Sequence, residues 1–108
     1  MGNPWRGEVA LILNGEAHEC RLTLGALAEL EDSLKAGSLI DLITRFENQD
    51  FSARDVLAVL VAGLRGGGWD CRTADLANAE IHGGPVEAAR VAAQLLVRAF
   101  ALPEHDAV

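Results

Sequence analysis

Asn14-Gly15, set between the β-prone run Glu8–Leu13 and the mixed run Glu16–Leu22, leaves the first part of the chain little choice of fold. An Asn-Gly pair in a two-residue connection favours a type I′ turn, because both residues must take positive φ. The register follows from the turn. Leu13 pairs with Glu16, Leu11 with His18, Val9 with Cys20, and Glu8 with Arg21. One face then carries Val9, Leu11, Leu13, Cys20 and Leu22, with Glu16 and His18 nearer the turn. The other carries Glu8, Ala10, Ile12, Ala17, Glu19 and Arg21, with Glu8 and Arg21 as a cross-strand ion pair. A hairpin with one drier side should cover helices.

From residue 23 the apolar spacing becomes helical. Thr23 caps a helix carrying Leu24, Leu27, Leu30, Glu31 and Leu34 at steps of three and four, with Gly37 as its left-handed end. Ser38 opens a second helix on Leu39, Leu42, Ile43 and Phe46. Ser52, with Asp55 three residues on, forms a short capping box for a third. Val56, Leu57, Val59, Leu60, Val61 and Leu64 make that helix apolar around most of its circumference, so it should be central. Gly66-Gly67-Gly68 breaks the chain, with Gly66 as the helix C-cap and a hinge behind it. Thr73 caps a short helix running through Leu76 to about Ile81. After His82-Gly83-Gly84, Pro85 starts the last helix, which runs to about Ala101 on Val86, Ala89, Ala93, Leu96, Val97 and Phe100. Leu102-Pro103 ends it.

The fold class is therefore mostly α with a short N-terminal β-hairpin (α+β), a small helical bundle packed on the hairpin. A single domain should occupy residues 3–102, with a short tail at 103–108. Leu27, Leu30, Leu57, Leu60, Val61, Leu96 and Phe100 are expected to be buried together.

Catalytic and ligand-binding patterns find little purchase. A phosphate loop needs a preceding strand and a following Lys-Ser/Thr, whereas the triple glycine follows a helix and has no lysine after it. His18, Cys20, Cys71 and His82 lack the tight pairs of a structural zinc site, so neither metal nor disulfide is expected. Cys20 reads as a small core hydrophobe. Glu29, Glu31 and Asp32 read as a solvated helix face, and Ser33, Ser38 and Ser52 have no G-x-S-x-G setting. No catalytic residue and no cofactor is expected. With sixteen acids against nine bases, the net charge of −7 argues against nucleic acid as a partner. The opening residues lack a signal-peptide core and no apolar run is long enough to span a membrane, so a cytoplasmic location is expected.

Three stretches together resemble a known family: Gly2-Asn3-Pro4-Trp5-Arg6-Gly7-Glu8-Val9, Leu22-Thr23-Leu24-Gly25-Ala26-Leu27-Ala28-Glu29-Leu30-Glu31, and Leu57 to Gly67. The chain is similar, from about Asn3 to Phe100, to the small tail-cluster protein of gene transfer agents, itself similar to phage tail assembly chaperones. The resemblance implies a non-enzymatic role in tail morphogenesis. It implies binding of the tail tape measure protein, protection of its apolar helices from aggregation, and recruitment of tail tube subunits. A structural tail component, or a small helical adaptor or regulatory protein unrelated to tails, are the alternative roles.

Under that resemblance the chain is expected to form a homo-oligomer and to bind helices through apolar surface. The third and last helices carry more apolar residues than one inward face can use. Val56 with Val59, and Val91 with Leu95, are the candidate partner-binding surface. The glycine-rich breaks at 66–68 and 83–84 would let the last helix swing to admit a partner.

Overall fold

Asn14 and Gly15 both take positive φ, 51° and 86°, and turn the chain into an antiparallel hairpin of β1 (Val9–Leu13) and β2 (Glu16–Cys20). Val9 faces Cys20, Leu11 faces His18 and Leu13 faces Glu16, the register the turn predicts. Val9, Leu11, Leu13, Cys20 and Leu22 are buried, while Ala10, Ile12, Ala17 and Glu19 are exposed. The computed structural model describes residues 9–34, 38–70 and 72–100. The expected Glu8–Arg21 pair, the Gly37 cap, Cys71, the helix end at Leu102-Pro103 and the tail lie outside these residues.

Five helices follow: α1 (Leu24–Ser33), α2 (Leu39–Glu47), α3 (Ala53–Gly66), α4 (Thr73–Ala77) and α5 (Gly84–Phe100). Their starts are set by side-chain caps. The Thr23 hydroxyl accepts from the Ala26 N–H at 3.1 Å. Ser38 with Asp41, and Ser52 with Asp55, form reciprocal capping boxes at α2 and α3. At α4 the cap position belongs to Arg72, one residue before the expected Thr73, and the Asp75 carboxylate accepts the Arg72 N–H at 3.1 Å.

Helix α3 is central: α1, α4, α5 and β2 all pack against it. A single apolar cluster joins the hairpin's inner face to Ala26, Leu30, Leu42, Phe46, Val59, Leu60, Leu64, Leu76, Val91, Leu95 and Leu96. Of the expected core, Leu30, Leu60 and Leu96 are fully inside, and Leu27, Leu57 and Val61 pack on it half-buried. Only Phe100 of the expected core falls outside it, as does Leu24 of the α1 stripe. Leu24 is exposed, because the inward line of α1 runs through Ala26 and Leu30, a half-turn away. Phe100 is also exposed, because α5 turns a different face inward.

The glycines at the end of α3 are packing residues. Gly66 is the last helical residue and Gly67, at φ −84°, follows it as the cap, one position later than expected. A Cβ on Gly66 would overlap the Arg21 carbonyl oxygen, and one on Gly67 would overlap that of Glu19. At Gly63 it would stand 2.7 Å from a Leu95 methyl and 3.2 Å from the Cys20 Cβ, while the Gly63 carbonyl accepts the Arg21 N–H at 2.8 Å. The end of α3 thus sits flush on the backbone of β2.

One further element escapes periodicity. Helix α4 stops at Ala77, short of Ile81, because the following segment leaves to flank β1. Ile81 bridges Leu13, the Asn14 N–H donates to the Glu80 carbonyl at 2.8 Å, and the His82 N–H donates to that of Ile12 at 3.0 Å. The Asn14 side chain also accepts the Glu80 N–H at 2.9 Å, so the turn residue secures both hairpin and loop. Gly83 and Gly84, both at positive φ, then bend the chain into α5, which begins one residue before Pro85.

Candidate functional site

Helix α5 carries two apolar lines. Ala88, Val91, Ala92, Leu95 and Leu96 face α3 and the hairpin. Val86, Ala89, Ala93, Val97 and Phe100 fall on the opposite side at steps of three and four. Val86 is 81% exposed, Val97 67% and Phe100 43%. The absence of a Cβ at Gly63 gives the Leu95 side chain of the inner line room against α3.

Two apolar grooves flank α5, and the outer line borders the first of them. Ala93, Leu96, Val97 and Phe100 of α5 meet Ile43, Phe46 and Glu47 of α2 around about 330 Å³. Near the start of α5, Pro85 and Ala88 meet Val56 and Leu57 of α3, Leu76 of α4, Phe51 and Ile81 around about 470 Å³. Both walls are almost wholly apolar side chains. They suit side chains of a partner helix better than a polar substrate.

The α2–α3 junction holds the groove walls in place. Phe46 and Phe51 stack with centroids 4.6 Å apart. Beside them, the Arg45 guanidinium donates twice to the Asp55 carboxylate, each bond 3.0 Å. The same carboxylate accepts the Ser52 N–H at 2.9 Å, so one acid caps α3 and ties it to α2. Burial alone would raise the Asp55 pKa. The Arg45 and Ser52 hydrogen bonds and the Arg45 charge outweigh it and hold the group below the ordinary carboxylate value. On α5, the Arg90 hydrogen bond likewise lowers Glu87.

The expected partner surface is corrected by these positions. Val59, Val91 and Leu95 lie in the core and offer no outer surface, whereas Val56 lines the larger groove. The surplus of apolar residues is real, but on α5 it surfaces at Val86, Val97 and Phe100. Their spacing was visible in the sequence. What it lacked was the rotation of the helix, which is set by packing of Ala88, Val91, Ala92, Leu95 and Leu96 against α3 and the hairpin.

The residues weighed for metal chemistry have other settings. Cys20 is buried beneath α3, and His18 stacks on Trp69 with centroids 4.2 Å apart. His82 is exposed beside the hairpin turn. Among the described residues, no group of three or more His, Cys, Asp or Glu could hold a metal ion. Nor, among them, is any helix long and apolar enough to cross a membrane.

A family model described as "Phage tail tube protein, GTA-gp10" matches residues 6–102 of the chain. Comparison with curated proteins and with solved structures returns no match.

Proposed function

This chain belongs to the phage tail tube protein, GTA-gp10 family, and from that premise we propose that it is a non-enzymatic chaperone of tail assembly which holds apolar helices of another tail protein. The tape measure protein is the partner that the family resemblance implies, with tail tube subunits recruited to the pair. The protein acts in the cytoplasm and self-associates through part of the same apolar surface.

The outward line of α5 carries this reading. Helix-in-groove recognition uses anchors at steps of three and four beside an apolar trough, and Val97 and Phe100 border such a trough with Ile43 and Phe46. The hairpin supports the same reading over a structural place in the tube wall. A strand-built ring would require open strand edges to pair between copies. Here Ile81 flanks β1, and Gly67 packs against β2 at Glu19.

Sedimentation of the protein with and without a tape measure fragment tests the proposal. The complex should form and weaken little between about 50 and 200 mM salt. Binding driven by about 6–10 phosphate-like contacts would instead lose roughly 10³–10⁵ in affinity. A strict monomer that ignores the fragment would end the chaperone reading.

A further inference from the structure

Among the described residues, a different face of the central helix lines an open groove between α1 and α4. Arg54, Leu57, Ala58, Val61, Ala62 and Arg65 of α3 form the floor of a third groove, of about 440 Å³. Glu29, Leu30 and Ser33 of α1 make one wall, and Arg72 and Thr73 the other. The floor residues recur at steps of three and four, with Ala58 and Ala62 among them. Arg54 and Arg65 stand eleven residues apart, close to three full turns, so they share this face at its two ends, roughly 16 Å apart.

Charge distinguishes this groove from the two beside α5. The chain carries −7 overall, yet three arginines line this groove beside Glu29, with Asp70 and Asp75 at its edge. Arg65 engages Glu29 at 3.0 Å and Asp70 at 3.7 Å, and Arg72 engages Asp75 at 3.5 Å. These are solvent-exposed pairs, which contribute little and exchange readily for an incoming carboxylate. Arg54 is exposed at the rim.

We propose that this groove binds an acidic amphipathic helix of a partner protein: an alanine- and leucine-rich line laid on Leu57, Ala58, Val61 and Ala62, with carboxylates about three turns apart meeting Arg54 at one end and Arg65 with Arg72 at the other. The apolar floor supplies contact area, and the arginines select sign and register. The site is independent of the α5 face and of what that face holds.

The test uses the full chain and two designed helical peptides with the same Ala/Leu line, one with Glu and one with Lys at the two end positions, followed by fluorescence anisotropy. The Glu peptide should bind, and the Lys peptide should bind at least about tenfold more weakly. Arg54→Glu should weaken the Glu peptide by about tenfold while leaving thermal unfolding unchanged, because Arg54 is exposed. Raising salt from about 50 to 200 mM should weaken it severalfold. Equal binding of both peptides, no binding of the Glu peptide, or an Arg54→Glu variant that binds as the parent does would each overturn the proposal.

Discussion

The two ends of α3 are held by opposite means. At the N-terminal end, side chains do the work: Asp55 accepts from Ser52 and Arg45 and joins α3 to α2. At the C-terminal end the fit depends on having none, since Gly66 and Gly67 lie on the backbone carbonyls of Arg21 and Glu19, and Gly63 leaves room for the Leu95 and Cys20 side chains. Removing atoms should therefore damage the first end, and adding atoms the second. The first end also responds to pH.

Gly66→Ala is the most severe way to break the contrast. Its new methyl meets a backbone carbonyl, which cannot rotate aside, so the seam must open at a cost of about 4 kcal/mol in denaturant titration. Leu60→Ala, in the shared core between the two ends, should cost about 3 kcal/mol. A loss near zero would remove α3 from the core. Asp55→Ala should cost about 2 kcal/mol, through the lost cap and the stranded Arg45.

Asp55→Asn sharpens the comparison through pH. The folded pKa of Asp55 lies below its unfolded value, so its contribution is fully present above the ordinary carboxylate range and is lost as pH falls through the folded pKa. The stability gap between parent and D55N should be constant above about pH 5 and close on further acidification. Gly66→Ala should show a gap that acid does not close in this way.

Both ends of α3 were partly legible before folding. Ser52 and Asp55 announce a capping box, and Asn14-Gly15 determines the hairpin register, because each is a local rule that operates within four residues. The glycine run marks the end of α3, as its spacing implies, but not the close approach to the hairpin. A break and a close approach use the same residue, and only the partner backbone at Glu19 and Arg21 tells them apart. The Ile81 bridge is one residue pair with no period to betray it. Helix α5 was the hardest case for the candidate site. Both of its lines are apolar, so spacing gave the helix without its rotation, and the two surface residues expected on it, Val91 and Leu95, lie in the core, as does Val59 of α3.

The smallest stability effect belongs to Val97→Asp. At 67% exposure the residue should tolerate a carboxylate within about 0.5 kcal/mol. That makes it the cleanest probe of function. Co-purification of the tape measure protein with the parent chain and with V97D, each checked by thermal unfolding, addresses the outer face of α5 directly. The parent should retain the tape measure protein, and V97D should unfold like the parent but release it. A V97D chain that retains its partner, or a parent chain that never holds one, would contradict the proposed role.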